Sequence, residues 1–297
     1  MIVEFIGIDV GGTKCLGVVT DAQGNVTREL RLATPHGSQL VDTLCDMVRQ
    51  LLSQDVVAVG VGLPGLIQRD GVVRVLPHIS AVENVNLVQL MHSQLGDAFG
   101  INDLRIEIDN DATTAALAEW KLGAARGAQN AVLVTLGTGI GGGLILGGQM
   151  CRGAHGFAGE FGHFVVEANG RPCVCGQRGC WEMYASGSAL GAMWPTGNSH
   201  DVMAAHAAGD PQAVQVVAEF ARWVAMGLAT LVNVCDPECV VIGGGLVSAR
   251  EQFLDAVSES LGTQVYGHLY RELPAVLPAQ LGEKAGAIGS ALMVALQ

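Results

Sequence analysis

Hydrophobic and polar positions in the first 65 residues predict short strands followed by one helix. The runs FIGID (5–9) and CLGVVT (15–20) flank VGGTK, and the turn sequence DAQGN (21–25) precedes a third strand. In SQLVDTLCDMVRQLL (38–52) apolar residues recur every three or four positions, which is helical periodicity. VVAVGVGLPG (56–65) then predicts a strand that ends in a Pro-Gly loop. The N-terminal region is therefore expected to be a β-meander, a helix and a further strand.

The same alternation of strands and helices continues to the end of the chain. Strands are expected at 104–111 (LRIEIDND), within 131–150 (AVLVTLGTGIGGGLILGGQM) and at 239–245 (CVVIGGG). Helices are expected after Asp111, from Cys180 onwards, from about Pro211 to Val234, at 250–261 and at 283–296. This βαβ alternation in both halves predicts an α/β protein with mixed sheets.

Chain length and composition favour two domains with ample material for a core. The 297 residues exceed the size at which single cores usually stop growing, and two lobes would create a cleft between them. Hydrophobic residues make up 49% and charged residues 15%, so nothing in the composition suggests disorder.

The formal net charge of −12 has the wrong sign for a nucleic-acid-binding protein. A phosphorylated small molecule could still bind through backbone N–H groups, one or two lysines and a divalent cation. The start MIVEFIGIDVGGTK lacks the basic region and cleavage site of a signal peptide, and no apolar run is expected to reach the length of a membrane span. A cytoplasmic protein with reduced cysteines and no membrane partner is therefore expected.

Three glycine-rich loops each follow a strand: DVGGTK (9–14), LGTGIGGG (136–143) and IGGG (242–245). Successive N–H groups in such loops form a concave nest for phosphate oxygens, although each loop could also be only a tight turn. GTGIGG with Glu160 downstream also matches a dinucleotide-binding fingerprint, which would make the protein a nicotinamide-dependent dehydrogenase. That fingerprint requires a helix at the glycines, whereas GGLILGGQM continues as strand and turn. A phosphate-binding hairpin is therefore the favoured interpretation.

Residues 163–180, HFVVEANGRPCVCGQRGC, combine one histidine and three cysteines. Cys173 and Cys175 point to one side of an extended backbone, and the turn GQRG brings Cys180 back. With His163 they form a Cys₃His set, the composition of a closed structural zinc site. Free thiols, a disulfide and a redox pair are the alternatives. The other five cysteines, at 15, 45, 151, 235 and 239, are expected to be ordinary buried apolar residues.

The motifs together resemble one family. IGIDVGGTK, LGTGIGGG and IGGG resemble the phosphate-1, phosphate-2 and adenosine elements of the sugar kinase, actin and heat-shock ATPase superfamily. GEFGH (159–163) and CVCGQRGCWE (173–182) resemble the two signatures of the ROK family of bacterial hexokinases and sugar-responsive repressors. The resemblance implies a two-lobed, actin-like ATPase (ribonuclease H-like) fold with an inter-lobe cleft. Residues 1–114 would form a small lobe completed by a helix at about 284–297, and 115–283 a large lobe carrying the zinc-binding loop 163–180.

The resemblance also implies roles for individual residues. Asp111 would be the catalytic base, although from the sequence alone it could equally be a helix N-cap. The hexose would be bound by Gly65, Asn110, Asp111, Glu160, His163 and Glu182. The phosphates, magnesium and nucleoside of ATP would be bound by Asp9, Gly11, Gly12, Thr13, Lys14, Gly137, Thr138, Gly139, Gly243, Gly244 and Gly245. Structural zinc would be bound by His163, Cys173, Cys175 and Cys180.

The implied activity is ATP-dependent phosphorylation of a hexose at its 6-hydroxyl, with glucose as the leading candidate. N-acetylglucosamine, N-acetylmannosamine, mannose, fructose and allose are the alternatives, and polyphosphate is an alternative donor. Pro77-His78 stands where many members have Pro-Asn, which leaves the choice of sugar open. A sugar-sensing repressor is a further class, disfavoured by the acidic charge and by how few residues precede GIDVGGTK. Members are often homodimers or homotetramers.

Overall fold

A computed structural model describes residues 3–35, 37–76 and 82–296. Its strands are β1 (Glu4–Val10), β2 (Lys14–Thr20), β3 (Val26–Ala33), β4 (Val56–Leu63), β5 (Leu66–Ile67), β6 (Val72–Val75), β7 (Val85–Asn86), β8 (Arg105–Asn110), β9 (Ala131–Leu136), β10 (Ile140–Leu146), β11 (Gln149–Cys151), β12 (Cys239–Gly243) and β13 (Ala275–Pro278). Its α-helices are α1 (Leu40–Leu51), α2 (Leu87–Phe99), α3 (Asp111–Leu122), α4 (Glu182–Ala185), α5 (Gly187–Ala192), α6 (Ser199–Ala207), α7 (Pro211–Cys235), α8 (Leu254–Gln264) and α9 (Ala285–Ala295). Pro77 and His78 lie outside the described residues.

The expected meander, helices and strands are confirmed, with two differences in detail. The helix expected from Cys180 is divided at Ser186, because the Ser186 hydroxyl accepts the N–H of Ala189 and starts α5 anew. The helix expected at 250–261 begins only at Leu254, after a 3₁₀ segment at 245–252. The hydrophobic pattern does not predict α2, α6, β13 or the small sheet β5–β6–β7, whose strands are only two to four residues long.

The chain divides into two compact units. Unit 1 comprises residues 1–123, 151–158 and 283–297, and unit 2 comprises residues 124–150 and 159–282. The segment 151–158 therefore belongs to unit 1, although the residues on both sides of it belong to unit 2.

Unit 1 contains a five-stranded sheet in the order β3–β2–β1–β4–β8, in which β1, β4 and β8 are parallel and the β1–β2–β3 meander is antiparallel. Helix α9 packs against β1 and β4 at very short range. A Cβ on Gly60 would lie 1.8 Å from the Ser290 oxygen, so only glycine permits this approach. The parallel strands end on one edge of the sheet, where Asp9 and Asn110 are placed.

The sheet of unit 2 repeats this arrangement in the order β11–β10–β9–β12–β13. Strands β11, β10 and β9 form one half of this sheet, and β10 pairs with β9 in antiparallel orientation. Strands β9, β12 and β13 are parallel. Its core includes Trp181, whose ring covers Gly227 of α7 and whose indole N–H donates to the Trp223 oxygen at 2.7 Å. The protein is thus built from the same strand order twice.

Helix α7 is long and apolar enough to cross a membrane by length and composition alone. Half of its most apolar window is buried, and Phe220, Val224 and Leu228 belong to the core of unit 2. This burial is the pattern of a core helix in a folded domain.

Candidate active site

Two acidic residues approach each other at the edge of the unit 1 sheet. Asp9 lies near the end of β1, and Asp111 is the first residue of α3, directly after β8. Burial, followed by the charge of Asp111, raises the pKa of Asp9 to about 8, although Lys14 opposes this shift. Burial also raises the pKa of Asp111 to about 6, because it outweighs the backbone N–H of Ala112 that favours the anion. This edge therefore brings together two half-buried carboxyl groups whose ionised forms are disfavoured.

Asn110 fixes the start of α3 and connects it to the loop after β4. Its Oδ1 accepts the N–H groups of Ala112 at 2.9 Å and Thr113 at 3.1 Å, which makes Asn110 the N-cap of α3. Its Nδ2 donates to the Gly65 oxygen at 3.2 Å. The structure thus brings Gly65, Asn110 and Asp111 together, and the capping role suggested for Asp111 is performed by Asn110.

The first glycine loop, residues 11–14, is a tight hairpin between β1 and β2. The N–H of Gly11 donates to the Lys14 oxygen at 3.0 Å, and Gly11 and Gly12 precede Thr13 at the tip. The Lys14 ammonium forms an exposed ion pair with Glu283 at 2.5 Å. Such an exposed pair contributes little stability, so the lysine can exchange Glu283 for another anion.

The second and third glycine loops adjoin each other in unit 2. Gly137, Thr138 and Gly139 connect β9 to β10, and the N–H of Gly137 donates to the Gly139 oxygen at 3.0 Å. Gly244 follows β12 with φ +84°, and a Cβ there would lie 2.4 Å from the Leu136 oxygen at the end of β9. Gly243 and Gly245 flank it. Because β10 begins at Ile140 with no helix at the glycines, the dinucleotide fingerprint is excluded, as the sequence analysis argued.

Glu182 contacts the second glycine loop, a relationship that the sequence did not reveal. Its Oε2 accepts the N–H of Ile140 at 2.8 Å, and a Cβ on Gly139 would lie 2.2 Å from the same oxygen. Gly162, from the GEFGH motif, packs against the Glu182 side chain. Glu160 precedes that motif's short 3₁₀ turn, Phe161–His163, and His163 is its last residue. Glu160, His163 and Glu182 therefore belong to one connected region of unit 2.

His163, Cys173, Cys175 and Cys180 lie together, as the sequence predicted, in a group that could hold a metal ion. Their ligand atoms all lie within 4.8 Å of one another. Cys173 Sγ lies 3.7 Å from His163 Nδ1, and Cys175 Sγ lies 3.6 Å from Cys180 Sγ. A tetrahedron with metal–sulfur bonds of about 2.3 Å has edges of about 3.8 Å, whereas a disulfide requires about 2.0 Å. The cluster thus fits a tetrahedral zinc ion and not a disulfide.

The backbone around this cluster closes a compact loop. The N–H of Gly176 donates to the Cys173 oxygen at 3.0 Å, and the N–H of Trp181 donates to the Phe164 oxygen at 2.9 Å. The rings of Phe164 and Trp181 stack with centroids 5.2 Å apart. Because His163 directs Nδ1 to the thiols, its Nε2 remains for another contact.

A buried ion pair that no sequence motif predicts adjoins this edge of the unit 1 sheet. Arg152 Nε donates to Asp109 Oδ2 at 2.5 Å, and the two side chains are 26% and 7% exposed. Asp109 Oδ1 accepts the N–H of Asn110 at 2.9 Å. The pair thus connects the segment 151–158 to the end of β8. Arg152 and Asp109 are 43 positions apart in the sequence, so no local sequence pattern predicts this ion pair.

Comparison with known proteins identifies the family: the ROK family profile matches residues 5–297, and the chain belongs to the ROK family. It is 35% identical over 311 residues to a glucokinase of Streptomyces coelicolor, covering 96% of each chain. It is 32% identical over 312 residues to an N-acetyl-D-glucosamine kinase of Yersinia pseudotuberculosis, covering 97% of this chain and 98% of the relative. The crystal structure of a ROK family glucokinase from Streptomyces griseus in complex with glucose and AMPPNP superposes with a TM-score of 0.86 at 35% identity, covering 98% of each chain. The actin-like ATPase fold implied by the motifs is thereby confirmed.

Proposed function

We propose that this protein is an ATP-dependent hexokinase that transfers the γ-phosphoryl group of ATP to the 6-hydroxyl of glucose. The observation that carries the proposal is the placement of Asp111 at the junction of β8 and α3, with its carboxyl next to the Asn110 cap and its pKa raised to about 6. A base with a pKa near the working pH is suited to accept a hydroxyl proton. The 35% identity to a Streptomyces glucokinase over nearly the whole chain favours glucose as the substrate.

In this mechanism Asp111 accepts the proton of the sugar's 6-hydroxyl as the oxygen attacks the γ-phosphorus. The bond from the γ-phosphorus to the bridging oxygen breaks, and ADP leaves with that oxygen. The glycine loops at 11–14 and 137–139 supply backbone N–H groups to the phosphates, and Gly243, Gly244 and Gly245 line the nucleoside. Lys14 exchanges Glu283 for a phosphate oxygen. The Asp9 carboxyl would hold magnesium, because hard cations prefer oxygen donors and a bound cation favours the ionised form of a carboxyl group whose pKa is otherwise about 8. Bound there, magnesium would neutralise phosphate charge.

We propose Gly65, Asn110, Glu160, His163 and Glu182 as the residues that bind the sugar. Carboxylates and amides suit a ring of hydroxyls, since each hydroxyl both donates and accepts. Zinc in the Cys₃His cluster would be structural, because four protein ligands leave no position for a reacting water. It would fix His163 at one end of the loop and Cys180, two residues before Glu182, at the other.

The test of this proposal is ADP release measured across a panel of sugars. We expect kcat/KM to be highest for glucose, and N-acetylglucosamine to be the informative competitor because a relative with that activity shares 32% identity. A parallel series with polyphosphate in place of ATP separates the two donors. Sugar-independent ADP release, or a preference for N-acetylglucosamine, would contradict the assignment of glucose.

The Asp111 carboxyl predicts a specific dependence of activity on pH. Below about pH 6 the free enzyme holds Asp111 protonated, and a protonated carboxyl cannot accept the hydroxyl proton. We therefore expect kcat/KM for glucose, at subsaturating ATP, to fall about tenfold per pH unit below pH 6. Enzyme exposed to acid and then assayed at neutral pH controls for irreversible loss. A kcat/KM for glucose that does not change down to pH 5 would contradict the assignment of Asp111 as the base.

The Arg152–Asp109 pair predicts a positioning effect on the same reaction. We expect Arg152→Gln to lower kcat/KM for glucose about tenfold or more while the KM for ATP changes little, because the end of β8 loses its anchor. Asp109→Asn should have the same effect, and the double variant should be no worse than either single one. Arg49→Gln, which breaks an exposed pair with Asp46, is the matched control and should be silent. Additive losses would show that the pair does not act as a unit.

A further inference from the structure

Thr34, the first residue after β3, binds two carbonyl groups of the first glycine loop. Its N–H donates to the Thr13 oxygen at 3.1 Å, and its hydroxyl donates to the Gly11 oxygen at 2.7 Å. The Lys14 oxygen is also engaged, because it accepts the N–H of Gly11 at 3.0 Å. The carbonyl oxygens of Gly11, Thr13 and Lys14 therefore all have hydrogen-bond donors within unit 1.

The N–H groups at the tip of this loop are arranged in the opposite way. Within the described residues, the N–H groups of Gly12 and Thr13 donate no hydrogen bond, and both residues are exposed. A Cβ on Gly12 would meet no atom of the described residues within 4 Å, and the φ of Gly12 is not positive. Neither packing nor backbone conformation therefore requires glycine here. The open space suits a ligand that approaches the backbone closely.

We infer that Thr34 is a positioning residue that makes the first glycine loop a receptor for the donor's phosphate groups, an inference that rests on the proposed function. A carbonyl oxygen that faced a phosphate would repel it, whereas an N–H group attracts it. By binding the Gly11 and Thr13 carbonyl groups, Thr34 directs them to itself and leaves the N–H groups at the tip for the anion. These bonds exist before any donor binds, so the loop needs little reorganisation.

A buried thiol holds the Thr34 hydroxyl in this orientation. Cys15 is fully buried, and its Sγ lies 3.8 Å from Thr34 Oγ1. Because the single hydroxyl proton is donated to the Gly11 oxygen, the thiol is the donor to Thr34 Oγ1. Burial raises the pKa of the Cys15 thiol, which therefore keeps its proton at neutral pH. The hydrogen bonds from Cys15 to Thr34 and from Thr34 to Gly11 thus form one directed chain.

The test is calorimetric titration of the full chain and of Thr34→Val, which replaces the hydroxyl with a methyl group of similar size. The probes are inorganic triphosphate with magnesium, adenosine, and glucose, each added alone. We expect the Kd for triphosphate to rise about three- to tenfold, the effect of one lost hydrogen bond, while the Kd values for adenosine and glucose change less than about twofold. In steady-state kinetics the KM for ATP should rise by a similar factor at unchanged kcat.

Three further variants serve as controls. Thr34→Ser keeps the hydroxyl and should retain the wild-type Kd for triphosphate. Thr34→Ala removes the hydroxyl without filling its place, and it provides a second disruption in case Thr34→Val folds poorly. Thr27→Val is the matched control and should be silent, because the Thr27 hydroxyl also donates from β3 to a backbone oxygen of β2, that of Val19 at 3.2 Å, but at the other end of the strand.

Unchanged triphosphate affinity in both Thr34→Val and Thr34→Ala would overturn the inference. An equal loss of affinity for triphosphate, adenosine and glucose would also overturn it, because that result indicates a general structural defect. Loss of triphosphate affinity in Thr34→Ser, or a wild type that binds no triphosphate, would have the same consequence. The proposed function fails separately, if the wild type binds triphosphate but forms no ADP from ATP and glucose.

Discussion

Asp111→Asn is expected to lower kcat by about 10²–10⁴-fold, which is the range for loss of a general base. The amide keeps the size of the carboxyl and one acceptor oxygen, but it cannot take the proton from the 6-hydroxyl. The affinity for glucose, measured by calorimetry without ATP, should stay close to that of the wild type. A lowered kcat with unchanged glucose affinity is expected if Asp111 is a catalytic base. It is not expected if Asp111 has only a structural role.

The same variant is expected to be more stable than the wild type at neutral pH. Burial raises the pKa of Asp111 from an ordinary 3.8 to about 6, so the folded state holds an unfavourable anion above pH 6. That destabilisation is fully present above pH 6 and disappears as the pH falls below 3.8. Asn should therefore increase the free energy of unfolding by about 1–3 kcal/mol at pH 7, with a smaller gain near pH 5. Near-normal turnover of Asp111→Asn would contradict the assignment of Asp111 as the catalytic base.

Cys175→Ser is expected to raise the KM for glucose about tenfold or more and to change the KM for ATP much less. Zinc bound to His163, Cys173, Cys175 and Cys180 would hold the loop whose two ends carry the proposed sugar residues. Loss of one thiolate lowers metal affinity and lets both ends of the loop shift. The glycine loops of unit 2 are held mainly by the β9–β10 and β9–β12 ladders, so ATP binding should depend much less on zinc, although Glu182 also contacts Ile140 at the second loop.

Metal analysis accompanies this kinetic comparison. We expect about one zinc per chain in gently purified wild type and a large loss in Cys175→Ser, since the thiolate is a ligand. Cys235→Ser is the matched control, because Cys235 is half-buried at the end of α7 and outside the cluster. Less than half a zinc per wild-type chain, or unchanged kinetics in a folded zinc-free variant, would contradict the role given to the cluster.

Much of the fold could be predicted from the sequence because its strands are long apolar runs and its helices have regular periodicity. β1, β2, β4, α1, α3 and α7 were located within a few residues for this reason. Strands β5 and β7 are two residues long, which is too short to show an alternation of hydrophobic and polar residues. Their pairing depends on tertiary contacts. Helix α8 began later than expected because the chain first takes a 3₁₀ turn after Gly244.

Some contacts of the candidate site join residues that are close in the sequence, and others join residues that only the fold brings together. The Cys₃His cluster could be predicted because three ligands lie within eight residues of one another and turn sequences separate them. In contrast, the hydrogen bond from Ile140 to Glu182 and the Arg152–Asp109 pair join residues more than 40 positions apart. Only the folded sheet brings those groups into contact, and a single sequence does not encode such distances in a readable pattern.

The central claim is that this protein transfers phosphate from ATP to the 6-hydroxyl of glucose. Its most direct test is phosphorus NMR of the products formed from glucose and ATP, with 6-deoxyglucose as the matched control substrate. The account predicts glucose 6-phosphate and ADP in equal amounts, and no sugar-dependent ADP from 6-deoxyglucose. Absence of sugar-dependent ADP with glucose, or phosphate attached at another carbon, would contradict it.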